Sequence, residues 1–230
     1  MRNAPKLSQT LVPFFSYPLV FISVQSVQGV LSLLESILEP RYSQTNPALL
    51  IAFFFPPYVI TTTLSSALTF FVVRDIRAGK KPSIPSAFEA VRPHLKSLVL
   101  CSLVLGLIYV LGFCAFVIPV VYFMAIYLFV PFVIVTEPKA PFSVYLFRST
   151  QFAKKNLLLS ILTVIGILVV GLLTFALSKW LTDNLNRHLS SENLQVGLSF
   201  IIDFLLTLVT GSWIDSWVSN YFLNLKEDSV

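Results

Sequence analysis

Long apolar runs, each closed by a short polar cluster, set the rhythm of the chain. Six of them are long enough to cross the ~30 Å of bilayer hydrocarbon as helices. They lie at about 11–34, 48–73, 97–118, 120–136, 156–178 and 195–222. The third and fourth are separated by FCAFVIPVVYF, which carries no charge, and Pro119 is expected at the turn between them. The first follows Arg2 and Lys6 as a signal peptide would, yet it is longer than a signal-peptide core and lacks an A-x-A site, so it reads as an uncleaved span. The pattern predicts an all-α fold, a polytopic bundle of six transmembrane helices forming one membrane domain over 1–230, with two short cytoplasmic interfacial amphipathic helices at about 84–92 and 140–154.

Composition supports this reading. The chain is 56% hydrophobic and 12% charged, about half the charged fraction of soluble domains. Phe is abundant at 21 residues and Gly scarce at 8, which suits bulky bundle-filling and lipid-facing side chains better than tight small-residue crossings. Cys101 and Cys114 share one apolar run. On a helix they stand ~20 Å apart, too far for a disulfide, and they read as small apolar packers.

The net charge of +5 changes the picture only through its placement. Thirteen of the sixteen Lys and Arg fall at the N-terminus, between spans two and three, between spans four and five, or at the C-terminus; Arg41, Lys179 and Arg187 fall on the other side. By the positive-inside rule both termini are cytoplasmic, and an even number of spans agrees. The basic residues flank membrane entry points, so anionic lipid headgroups are the expected partners and nucleic acid is not.

The two inter-span segments are amphipathic. On a helix Arg148, Gln151 and Lys155 share one side, while Phe142, Tyr145, Phe152 and Ala153 line the opposite one. Upstream, Glu89, Arg92 and Lys96 form one stripe and Phe88, Val91 and Leu95 another, with Pro93 expected to end the helix near Val91 and to bias Arg92 toward extended backbone. Basic amphipathic helices lie in the headgroup plane, each Lys or Arg there worth roughly 1 kcal/mol. Arg92, Lys96, Arg148, Lys154 and Lys155 are thus candidate headgroup or partner contacts; orienting the spans during insertion is the plainer role for the same residues. KKPSIPSAFEAVRPHLKS and EPKAPFSVYLFRSTQFAKKN also read as two copies of one unit, Ser86 and Ser143 lying 57 residues apart. Loops that simply gather Pro, Ser and Lys would look the same.

The run PFVIVTEP followed by LFRSTQFAKKN and another span, with RAGKKPSIPSAFEA upstream and Tyr221 closing the last span, resembles the membrane domain of bacterial glycerophosphodiester phosphodiesterases. Stand-alone YciC-type inner-membrane proteins are similar. The likeness covers about 74–175 plus the tail. It implies six spans and a link to membrane lipids or the envelope, whereas the phosphodiesterase's catalytic barrel has no counterpart in this sequence.

Polar residues inside the spans are the remaining candidates. An ionisable side chain costs at least ~2.5 kcal/mol in hydrocarbon and usually faces a partner or cavity. Ser199, Asp203, Thr207 and Thr210 form one stripe of span six; Ser212, Asp215 and Ser219 form another, rotated by about a third of a turn. Asp215, beside Trp213 and Trp217, reads as interfacial. Asp203 reads as deeper, protonated or bonded to the span-two hydroxyls of TTTLSS (Thr61 and Thr62 among them), with Gln25 and Gln28 of span one joining. A hydrogen-bonded bundle core and a lipid or solute pathway both fit.

His94 and His188 fall on opposite sides of the membrane by this topology. No metal-ligand cluster, nucleophile motif or phosphate loop is present in the sequence, and no cofactor is implied. The expectation is a non-enzymatic integral protein of the bacterial inner (cytoplasmic) membrane, an accessory or scaffold subunit that meets membrane lipids and other membrane protein subunits. A small lipid or solute transporter using the polar faces of spans one, two and six is the alternative.

Overall fold

The computed structural model describes residues 16–26, 47–115, 117–137, 140–187 and 192–227, and among them every regular element is helical. A helical segment over 16–26 is followed by α1 (Pro47–Arg77), α2 (Ile84–Val91), a 3₁₀ turn (Arg92–His94) and α3 (Leu95–Ala115). Then come α4 (Val117–Tyr127), α5 (Val130–Thr136), α6 (Phe142–Lys155), α7 (Leu157–Asn186) and α8 (Glu192–Glu227).

Among the described residues four stretches are long and apolar enough to cross a membrane: Pro56–Arg77, Ile84–Val110, Leu157–Leu185 and Gly197–Glu227. The chain is thus built as an integral membrane protein. Of the expected first span only 16–26 is described, and Gln28 lies outside the described residues.

The expected fourth span, 120–136, is not one helix. α4 and α5 are separated at Leu128–Phe129, where Phe129 adopts φ −96°, ψ 1°. Pro131 supplies no N–H to the Tyr127 carbonyl, which weakens the helical ladder there. Pro119, expected at a turn, lies instead in the first turn of α4, where a missing N–H costs little.

Local chemistry sets the other boundaries. α1 ends in a Schellman turn: Gly79 N–H reaches Ile76 O at 3.0 Å and Lys80 N–H reaches Asp75 O at 2.9 Å. Gly79 takes φ +70°, a conformation that costs other residues about 1–2 kcal/mol. Pro93 tightens the chain without straightening it. Arg92 is helical (φ −47°, ψ −45°), not extended as the sequence suggests, and α2 runs through the 3₁₀ turn into α3. A proline in the first turn of a new helix needs no N–H partner.

Contacts fix the helix directions. α8 runs alongside α1, with Asp215 against Ser66 and Glu227 against Arg77, so the two are parallel. α7 runs antiparallel to α8, with Ser160 against Tyr221 and Ser178 against Asp203. Arg74, Arg77, Lys154 and Lys155 therefore gather at one end of the bundle, where α1 and α8 finish and α7 begins. The core at this end is aromatic. Phe222 of α8 packs against Phe70, Phe129, Phe132 and Phe152 at ring-centroid distances of 5.8, 5.7, 5.5 and 5.0 Å. Tilted and edge-on ring pairs of this kind add about 0.5–1.5 kcal/mol each beyond burial.

Candidate functional site

Asp215 is a much-connected polar group inside the bundle. Its Oδ2 accepts from Gln25 Nε2 at 2.7 Å and Ser65 Oγ at 3.1 Å, and its Oδ1 accepts from Ser66 Oγ at 2.7 Å. Three segments distant in sequence thus meet on one carboxylate. Gly211, one turn earlier on α8, lets the Gln25 side chain lie against the helix, since a Cβ there would sit 3.3 Å from Gln25 Oε1. Ser212 adds a longer bond, its Oγ donating to Phe21 O at 3.4 Å. Bonds to a charged acceptor are worth about 1.5–3 kcal/mol each, which offsets the cost of placing a carboxylate among helices.

This reverses the roles expected for the two acids. Asp215, expected to stand apart beside Trp213 and Trp217, is the one that meets the span-two hydroxyls, and α8 continues beyond it to Glu227, twelve residues or ~18 Å further. Asp203 does not meet the span-two hydroxyls. It is exposed, and its Oδ1 accepts from the buried Ser178 hydroxyl of α7. Thr61 and Thr62 fold back on their own helix, donating to Pro57 O at 2.9 Å and to Tyr58 O at 2.9 Å. Ser199 and Thr210 do likewise, toward Gln195 O and Leu206 O, and Thr207 is half-buried between them. The expected stripe therefore splits into local bonds. Of the named intramembrane residues, Gln25 and Asp215 are brought together.

Toward the basic end the seam between α1 and α8 continues through Thr69, Ser216 and Ser219, all fully buried and with hydroxyls that have no hydrogen-bond partner among the described residues. It finishes at Arg77, which donates to Asn224 Oδ1 at 3.0 Å and to Glu227 at 2.8 and 2.9 Å.

The second constellation is a joint built from the Arg-Ser segment. Ser149 of α6 is buried and enters the α4–α5 break, donating to Ile126 O at 2.8 Å and accepting from Phe129 N–H at 3.3 Å. One hydroxyl thus replaces a step of the interrupted ladder on both sides. Asn156 caps α7, its Oδ1 accepting from Leu159 N–H at 3.3 Å. Tyr221 Oη donates to Asn156 O at 3.3 Å and lies 3.2 Å from Ser160 Oγ. Its ring meets Phe129 edge-on at 5.2 Å.

The joint orients the basic face of α6. Tyr145, Ser149 and Ala153, spaced by four, are buried, whereas Arg148, Gln151, Lys154 and Lys155 are exposed. Arg148 pairs with Glu137 at 3.5 Å, and Lys155 Nζ stands 5.3 Å above the Phe152 ring. On α2 the buried residues are Ala87 and Val91, while Phe88, expected on the apolar stripe, is 46% exposed. Arg92 and Lys96 are exposed. Sequence reasoning missed Ser149, Asn156 and Ser178 as site residues. Ser149 carries a usable signal, being a small polar residue on the apolar side of an amphipathic helix.

Among the described residues no group of three or more His, Cys, Asp or Glu side chains could hold a metal ion. No protein-family model, curated protein or solved structure matches the chain.

Proposed function

We propose that this chain is an accessory or scaffold protein of the bacterial inner membrane, its six spans holding both termini and the two basic elbows on the cytoplasmic side. The elbows meet anionic headgroups and a membrane partner. The observation that carries this reading is the seating of α6. One of its faces is locked into the bundle through Ser149, and the opposite face presents Arg148, Lys154 and Lys155 outward. A basic surface held on a buried joint has a fixed orientation, as a docking platform requires. The hub around Asp215 supports the same reading, because Gln25, Ser65 and Ser66 each give it a hydrogen bond that holds three segments together.

A second reading, a small lipid or solute transporter, is favoured by the unpartnered hydroxyls of Thr69, Ser216 and Ser219 along the α1–α8 seam. One experiment separates the two. The full chain is affinity-purified with its bound proteins and lipids identified by mass spectrometry, and is also reconstituted for flux measurements. The scaffold reading expects a stoichiometric protein partner that the substitution of Arg148, Lys154 and Lys155 by Gln releases, with no flux. Flux that Asp215→Asn abolishes would overturn it in favour of transport.

A further inference from the structure

A cavity of about 370 Å³ opens between α7 and α8; at helical spacing Trp213 and Trp217 lie on a face of α8 turned away from Asp215. Its walls include Leu159, Leu162, Gly166 and Val170 of α7 and Trp213 and Trp217 of α8. Thr163 also lines it but donates its hydroxyl to Leu159 O at 2.8 Å, which leaves the lining almost wholly apolar. The volume falls within the ~300–1,000 Å³ usual for small-molecule sites.

Position and depth narrow the occupant. From Leu159 to Val170 the cavity follows α7 for ~17 Å, about the half-thickness of a ~30 Å hydrocarbon layer. Leu159, at one end of it, follows Lys155 by four residues across the Asn156 cap; Lys154 and Lys155 are exposed, and the N-terminal dipole of the 30-residue α7 at this end favours an anion. The cavity is therefore apolar and about one leaflet long, and the end of the chain segment nearest its Leu159 wall is basic. We propose that it holds one acyl chain of an anionic glycerophospholipid whose phosphate rests at Lys154 and Lys155. This rests on the orientation proposed above and gives the basic elbow a specific ligand.

Gly166 makes the proposal testable, because a Cβ added there meets nothing within 4 Å. A leucine at this position extends into the cavity without displacing backbone. The full chain carrying Trp180→Phe keeps Trp213 and Trp217 as its only tryptophans. In detergent it is titrated with phosphatidylglycerol bearing dibrominated acyl chains, and separately with the matching phosphatidylcholine. Bromine quenches indole emission only at short range, so saturable quenching reports a chain in the cavity. The expected result is saturation near one phosphatidylglycerol per chain, with phosphatidylcholine weaker by roughly tenfold or more. Gly166→Leu removes the saturable component at an unchanged melting midpoint, while Lys154→Gln with Lys155→Gln equalises the two lipids and preserves quenching. Quenching that never saturates, that survives Gly166→Leu, or that shows no lipid preference in the parent chain overturns the proposal. A protein partner retained alongside any of those results would leave the scaffold reading standing, so the two failures are distinguishable.

Discussion

Asp215 and Asp203 show how far a residue's role depends on what surrounds it. Both are aspartates of one helix flanked by hydroxyl residues, yet one holds three donors from two other segments and the other holds one from α7. Replacing Asp215 with Asn turns an amide N–H toward Gln25, Ser65 or Ser66, which donate to the carboxylate and must turn to accept. The expected loss is about 1–3 kcal/mol, seen as a lowered midpoint in detergent thermal unfolding. Asp203→Asn keeps an acceptor for Ser178 at an exposed position, and its midpoint is expected to stay near that of the parent chain. The two acids were legible in the sequence as unusual; their partners were not. Ser65 and Ser66 stand next to the threonines that sequence reasoning favoured, but Thr61 and Thr62 reach their own carbonyls three or four residues back, a local bond that β-branched hydroxyl residues make readily in helices.

At the scale of elements, the α4–α5 break and the α6 helix are one device. α4 loses its ladder near Leu128–Phe129, and Ser149, twenty residues beyond Phe129, supplies the missing donor and acceptor. Ser149→Ala leaves both Ile126 O and Phe129 N–H unsatisfied in a buried place, at an expected cost of about 2–4 kcal/mol for the pair. Amide hydrogen exchange at Phe129 and Val130 reads this directly. Protection there is expected to fall while that of α7 is kept. The amphipathic pattern of 142–155 was plain from its sequence, and α6 covers nearly the expected range. What covers its apolar face was not plain, because a stripe facing acyl chains and one facing protein look alike. Phe147, on neither expected stripe, is 61% exposed, while Tyr145, Ser149 and Ala153 are buried against protein.

For the whole molecule, the parallel pair α1 and α8 and the antiparallel α7 bring the basic residues of distant segments to a common end. The proposed orientation makes that end cytoplasmic. Single cysteines at Lys80 and Lys155 are then expected to resist a membrane-impermeant maleimide in intact cells and to react after lysis, whereas a cysteine at Asp183 reacts from outside. Labelling of residue 80 or 155 from outside would overturn the orientation and the roles drawn from it.

The sequence alone was enough to establish the membrane class, the approximate bounds of four long helices and the charged face of α6. Those follow from apolar content and from a periodicity of 3.6, which are local properties of the chain. Only the tertiary structure decided that Gln25 and the Ser65–Ser66 pair meet Asp215 instead of Asp203, and that a serine from α6 completes a broken helix. Partnerships between buried polar groups depend on which helices become neighbours and at what depth, and no window of sequence contains both partners.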